Sequence, residues 1–223
     1  MESLNYEVIP VTREHCKHFI LNIHYAKRWC SISYAFGLFK DKEMVGVVTY
    51  GTPPSSTLRI GIAGKENEKY VLELNRLVLL NNHKNEASML VGRSLKMLPK
   101  PSIVISYSDT SMNHHGYVYQ ACNFTYHGLS AKRSDWNVKN SNKHNHTLTD
   151  EFRGLKNRTE LARERYKDDF SYKPRPRKHR YIYITGSKSA RKRLRADIKY
   201  KQYDYPKGDN KRYEVKLSNP LDI

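Results

Sequence analysis

Asp109 and Tyr119 stand ten residues apart in a stretch, Ile103 to Gly128, where extended, turn and helical patterns follow one another. Ile103, Val104, Ile105 and Tyr107 form a short apolar, β-branched run of the kind expected of a buried strand. Ser108-Asp109-Thr110-Ser111 breaks that run with cap and turn residues. Asn113 to Ala121 then reads as a short helix, with Val118 and Cys122 on its core side. Asn123 suits a left-handed stop, and Phe124 opens a new extended run. An acid at the C-terminal end of a strand, before a helix rich in Tyr and His, puts polar chemistry where open α/β sheets bind ligands. Asp109 could act there as a general base or orienting acceptor. It could equally cap the turn that follows it.

Other residues could join that chemistry. Arg76 sits inside an apolar strand pattern, where a lone cation is hard to bury. Glu73 or Asp109 could pair with it, or it could contact substrate. Ser94 and Ser88 fall on a later helix; Ser88 could cap it, and Ser94 faces a site only if the helix phase allows. His24 and Tyr25 end the first helical pattern, a position the helix dipole also favours for His. A metal could be held by His114 and His115 with His24 or Asp109. No His-x-x-x-His, Cys-x-x-Cys or Glu-x-x-His spacing supports that set, so no metal ligands are assigned.

The elements that must position these residues follow from periodicity. Glu14 to Trp29 reads as a helix capped by Thr12, with Phe19, Ile20 and Ile23 as its stripe. Phe36–Lys40 and Met44–Tyr50 read as a hairpin turning at Asp41-Lys42. Leu58 to Gly64 is ambiguous. Tyr70 to Leu80 reads as a strand; strict alternation would put Arg76 on the face of Leu72 and Leu74, and a one-residue bulge near Asn75 would ease the mixed pattern. Glu86 to Leu98 reads as a helix ended by Pro99 and Pro101. Phe124 to Ala131 closes the central stretch as a strand. Three regions result: a core at 1–131, a polar, basic insertion at 132–179 with one helix near Thr159–Lys167, and at 180–223 a late strand, Tyr181–Thr185, with a basic tail completing the same domain.

The chain of 223 residues carries 40 Lys and Arg against 22 Asp and Glu, a formal charge of +18. A domain this basic is expected to meet a polyanion, nucleic acid first. The 17 tyrosines suit base stacking as well as core packing. Arg175, Arg177, Lys178 and Arg180 in one run, and Arg191, Lys192, Arg193 and Arg195 in another, are the candidate DNA phosphate contacts. The three cysteines, Cys16, Cys30 and Cys122, lack paired spacing and fit a reducing compartment. No signal-like N-terminus or membrane-length apolar run is evident, so a cytoplasmic protein is expected.

The order helix, hairpin, strand, helix, strand, helix, strand resembles that of the Gcn5-related N-acetyltransferase (GNAT) superfamily. FGLFKDKEMVGVVTYG leading to ELNRLVL resembles the family's central strands. Tyr119-Gln-Ala-Cys-Asn-Phe124 resembles its Tyr-x-x-x-Gly-Phe helix end, with Asn123 in place of Gly. HYAKRW, VGVVTYG, ELNRL, NEASMLVGRSL, SYSD and YQACNF together resemble the Mom family of Mu-like phages, GNAT-fold enzymes that convert adenine in DNA to N6-carbamoylmethyladenine and so protect it from host restriction. The resemblance implies an α/β fold with a mostly antiparallel sheet flanked by helices. It implies catalysis by Asp109, Tyr119, Arg76 and Ser94, with Tyr119 protonating the leaving group and Tyr117 as its substitute. It implies a flipped base, held by residues such as His24, Tyr25 and Tyr50, with Tyr107 or Trp136 also placed to stack. The glycine-rich loop that holds the coenzyme A pyrophosphate in acetyltransferases is missing from NNHKNEASMLVGRS. Acetyl-CoA or another small activated acyl donor therefore stays open. An acyl- or aminoacyltransferase acting on RNA or protein, and a non-catalytic nucleic-acid-binding protein, are the alternative readings.

Overall fold

The computed structural model describes residues 5–141 and 145–208; the tail beyond residue 208 lies outside them. A seven-stranded sheet is built from β1 (Tyr6–Pro10), β2 (Tyr34–Lys40), β3 (Glu43–Gly51), β4 (Val71–Leu79), β5 (Ile103–Asp109), β6 (Thr125–Leu129) and β9 (Lys178–Ile184), in the order β1-β2-β3-β4-β5-β9-β6. Every neighbouring pair is antiparallel except β4–β5, which is parallel. The mixed, mostly antiparallel α/β class matches the sequence expectation. Helices α3 (Glu86–Met97) and α4 (Tyr117–Ala121) cover one face, packing on Phe36, Val48, Leu74 and Val104. The other face carries α1 (Arg13–His18), α2 (Ser56–Ala63) and α7 (Lys188–Ala196), packed on Val47, Val71, Val78 and Ile105. No helix among the described residues is long and apolar enough to cross a membrane.

Several elements differ from the sequence reading. The run Tyr6–Pro10 is an additional edge strand. Leu58–Gly64 resolves into helix α2, with Ser55 capping the Leu58 N–H. The first helix continues through π-helical turns at Phe19–Ile23 and stops there, not at Trp29. Its apolar stripe ends with Ile23, and the loop beyond it gives its carbonyls to the sheet. Arg28 O accepts from Arg76, and Ser31 O accepts from Asn75. The helix expected from Asn113 starts only at Tyr117, because Asn113 and Gly116 are left-handed, with φ of 52° and 76°. Gly116 is required: a Cβ there would run into the Tyr181 ring. The insertion holds an antiparallel ribbon, β7 (Arg133–Val138) with β8 (Phe170–Arg175), and two helices, α5 (Asn145–Asp150) and α6 (Arg158–Tyr166). The late strand begins earlier, at Lys178, and lies between β5 and β6, antiparallel to both.

β4 carries the feature that shapes the site. Thr49 pairs with Arg76 and Tyr50 with Leu74, so Asn75 is the extra residue of a bulge. The bulge resets the alternation. Leu72 and Leu74 before it, and Leu77 and Leu79 after it, all pack with the α3 cluster. Arg76 is thereby moved off the Leu74 face and shares Glu73's. Asn75 pins the bulge: its Oδ1 accepts from Thr49 Oγ1 at 2.6 Å and its Nδ2 donates to Ser31 O at 2.7 Å. Gly51 permits this, since a Cβ there would collide with the Ser31 carbonyl. Asn75→Ala should strand Thr49 Oγ1 and Ser31 O and cost about 1–3 kcal/mol. Asn75→Asp should keep one of the two bonds and lose less; paired denaturant melts check the order.

Candidate active site

β4 and β5 pair only from Val71–Ile103 to Leu74–Ser106 and then part. A cavity of about 750 Å³ opens where they diverge. Its walls bring together His24 and Tyr25 from the first loop, Glu73 and Arg76 from β4, Tyr107 and Asp109 from β5, Tyr117 and Tyr119 from α4, and Lys178 from β9. Six of the eight catalytic and substrate-binding candidates thus meet, Asp109, Tyr119, Arg76, His24, Tyr25 and Tyr117, together with Tyr107 and Lys178.

Ser94 and Tyr50 do not reach it. Both are fully buried, and the Tyr50 hydroxyl lies 2.7 Å from Ser94 Oγ, which itself donates to Val91 O. Ser94, expected in catalysis, and Tyr50, expected against the base, instead satisfy each other's hydroxyls in the core. Ser88 is not the cap of α3 either: Asn85 holds that position, and Ser88 Oγ donates to its carbonyl.

The acids occupy different states. Asp109 Oδ1 accepts from the Ser111 N–H at 3.0 Å and from Ser111 Oγ at 2.7 Å, while Oδ2 faces Lys178 Nζ at 3.4 Å. Burial alone would raise its pKa, but the Ser111 bonds and Lys178 outweigh burial and hold the carboxyl below the ordinary range. The capping role is therefore filled. Glu73 has no hydrogen bond or ion pair among the described residues, and its carboxyl lines the same cavity. Burial raises its pKa, against the opposing charges of Lys178 and Arg76. A partly desolvated, unpartnered carboxylate is the better proton acceptor. The sequence offered Glu73 only as a partner for Arg76; an acid and a cation three residues apart in an apolar strand was the available signal.

Arg76 is held by carbonyls instead: its two terminal nitrogens donate to Asn75 O at 2.6 Å and Arg28 O at 2.8 Å. Burial, reinforced by Arg76, lowers the His24 pKa to about 4, so the imidazole is neutral near neutrality. Its Nδ1 accepts the Ala26 N–H, and its ring stacks on Tyr25 at 4.4 Å. Tyr25 is 58% exposed, an aromatic face at the rim. Burial raises the Tyr119 phenol to about 12; Ser106 opposes that shift, and Tyr25 and Glu73 add to it. Tyr119 therefore keeps its proton and can donate it. Tyr117 is a weaker substitute, because its hydroxyl donates to Gly208 O and accepts from Gly208 N. His114 and His115 lie in the loop before α4, not on a helix. Among the described residues, no three His, Cys, Asp or Glu side chains cluster as metal ligands.

The basic runs also sort themselves. Arg175 pairs with Asp135, Arg177 donates to Ser130 O at 2.6 Å, and Lys178 faces Asp109. Arg180 is buried, with its guanidinium 3.6 Å above the Tyr200 ring and a bond to His127 O. These are structural engagements, not free phosphate contacts. Arg191, Lys192, Arg193 and Arg195 are exposed on α7. That helix follows the end of β9 paired with Ile103, about 20 Å along the strand from Asp109. Trp136 packs inside the insertion against Phe152 and Phe170, so it does not stack in the cavity.

Coenzyme A would need its pyrophosphate at the α3 N-terminus. The loop before α3 has left-handed Asn82 and Asn85 where glycines would serve. Glu86, in the first turn, is buried, and its carboxylate accepts from Tyr6 OH and the His83 N–H, both at 2.8 Å. The pocket beside it is lined by Asp41, Glu43 and Glu86 together with Lys40 and His83. The Glu86 side chain already takes up the His83 N–H in the turn where a pyrophosphate would bind.

The Mom protein family matches residues 5–207. The methylcarbamoylase Mom of Escherichia phage Mu is 33% identical over 113 residues, 47% of this chain and 46% of the relative, so the match spans just under half of that protein. Among solved structures, a probable acetyltransferase from Staphylococcus epidermidis is 11% identical, with 81% of this chain and 99% of the other covered and a TM-score of 0.46. An acetyltransferase from Bacillus subtilis in complex with CoA is 13% identical, with 82% and 99% covered and a TM-score of 0.44.

The two cavity acids should affect stability with opposite sign. Glu73's folded pKa is raised, so its stability penalty begins as the pH rises past the unfolded value near 4.5 and is complete above the folded pKa. Glu73→Gln should therefore raise the melting temperature at neutral pH and change little below about pH 4.5. Asp109's folded pKa is lowered, so its stabilisation is present above the unfolded value near 3.8 and lost on acidification. Asp109→Asn should lower the melting temperature at neutral pH. Thermal melts of both variants from pH 3 to pH 8 check the signs.

Proposed function

The chain belongs to the Mom protein family, and on that premise we propose that it modifies the N6 amine of adenine in duplex DNA to N6-carbamoylmethyladenine. The observation that carries this reading is the unpartnered Glu73 carboxyl in one cavity with the proton-bearing Tyr119 phenol. A volume of about 750 Å³ accommodates a flipped base, and the exposed Tyr25 ring, stacked on neutral His24, supplies an aromatic platform at the rim.

The amine of adenine is a poor nucleophile, so its proton must leave as the new bond forms. In this reading N6 bonds to the donor carbon, and the bond from that carbon to the leaving atom breaks with its electron pair. Glu73 takes the N6 proton, and Tyr119 gives its proton to the leaving atom. Arg76 and Lys178 offset negative charge developing in the cavity. Asp109 is the orienting acceptor: it holds Lys178 and the turn at Ser111. Protection from host restriction follows from a base whose major-groove edge, where N6 is displayed, no longer matches what a nuclease reads. The hydrogen-bonded Glu86 side chain at α3 argues for an activated carbamoylmethyl donor, bonding to N6 through its methylene carbon, that brings no pyrophosphate to α3.

Mass spectrometry of nucleosides from cells expressing the chain tests the reading. A modified deoxyadenosine is expected. Modified RNA or protein alone would favour the acyltransferase reading, and no product a binding role. Tyr119→Phe and Glu73→Gln should each lower turnover by roughly 10²–10⁴-fold, whereas Tyr50→Phe should leave turnover per folded molecule unchanged. Calorimetry with coenzyme A should give no saturable heat; stoichiometric binding would reverse the donor argument.

A further inference from the structure

The ribbon β7–β8 has two unlike faces. One carries Trp136, Val138 and Phe170, which pack with Phe152 and α5. The other carries the cross-strand pairs Arg133–Arg175, Asp135–Lys173 and Asn137–Ser171. Two arginines directly opposite each other repel. Arg175 is relieved by Asp135, but Arg133 and Lys173 are exposed and make no ion pair among the described residues. Asn137 Nδ2 donates to Ser171 Oγ at 3.0 Å, leaving the Asn137 side chain further donor and acceptor capacity. The face is thus basic at its root and amide- and hydroxyl-bearing towards its tip.

The ribbon has an aromatic core of its own and is rooted at the cavity. Trp136 N–H donates to Asn145 Oδ1 at 2.7 Å. Arg177, between β8 and β9, donates to Ser130 O, while Arg177 O accepts from Thr110 Oγ1 at 2.6 Å, next to Asp109. Arg175 stands only three residues, about 10 Å of chain, from the cavity residue Lys178.

We propose that the Arg133, Asn137, Ser171 and Lys173 face of this ribbon enters the major groove of duplex DNA beside the target adenine and sets which adenines are modified. This rests on the duplex-DNA reading above. The major groove admits a two-stranded ribbon, and it is the groove that displays the adenine N6 amine. A six-residue ribbon of about 20 Å spans several base pairs. Arg133 and Lys173 match the phosphates or guanine edges, and Asn137 has the bidentate geometry for an adenine edge.

The test measures duplex binding by fluorescence anisotropy against salt, and maps modified adenines in a random-sequence library. Arg133→Ala with Lys173→Ala should weaken binding and lower the log–log salt slope by about 1–2. Asn137→Ala should leave the slope unchanged and relax preference at one base position by roughly 5- to 100-fold. Melting temperatures confirm that the ribbon stays folded. Binding requires no turnover, so a wild-type chain that grips duplex DNA but yields no modified nucleoside would end the catalytic reading, and the salt slopes would still decide the ribbon's part. Unchanged slope and unchanged preference in these variants would overturn the proposal, as would equal wild-type affinity for an RNA hairpin.

Discussion

The bulge at Asn75 is the constraint on which the site depends. Without it, alternation along β4 would put Arg76 among the leucines under α3. With it, one strand serves two purposes: its leucines cover the core beneath α3, and Glu73 and Arg76 come to one face. The bulge is held because Asn75 satisfies both Thr49 and Ser31, and because Gly51 lets the Ser31 carbonyl approach. The same loop supplies Arg28 O to Arg76 and ends in the His24–Tyr25 stack. Bulges near active sites re-aim side chains in this way.

Three acids show how environment assigns roles. Glu86 is buried at a helix N-terminus with its side chain doubly hydrogen-bonded, so its role is structural. Asp109 is bonded to Ser111 and faces a lysine, so its proton is gone and not readily regained. Glu73 is desolvated without a hydrogen-bond or ion-pair partner among the described residues, so its affinity for a proton is raised. Only the last state suits proton abstraction at neutral pH, and it is also the state that costs stability. Sites that work against the fold in this way are where function is expected.

Helix α4 is short and carries Tyr119, so something else must fix its position. Tyr181 OH and Gln120 Nε2 both donate to His115 O at its start. The segment after α7 returns across it: Tyr203 N donates to Tyr126 O, Tyr205 OH to Phe124 O, and Gly208 exchanges bonds with Tyr117. The late strand β9 brings Tyr181, Lys178 and the ribbon's root to one end of β5. The cavity is therefore assembled from segments as far apart in the chain as Ile23 and Lys178.

Much was legible in the sequence because it is local. Periodicity located the hairpin, β4, α3 and β5, and the mixed pattern around Asn75 pointed to a bulge, since a period-2 strand cannot bury two phases without one. The motifs around Arg76, Asp109 and Tyr119 carried the family. What remained hidden depends on partners distant in sequence. Tyr50 and Ser94 satisfy each other across 44 residues, and Arg180 is taken up by Tyr200 and His127, so neither pair could be told from site residues. The ribbon read as a polar insertion because each strand has only one apolar face, completed by α5, α6 and the other strand. Which carboxylate is left without a partner is a property of the whole packed cavity. Residue types and spacing determined the candidates, and tertiary hydrogen bonding decided which of them stayed free to react.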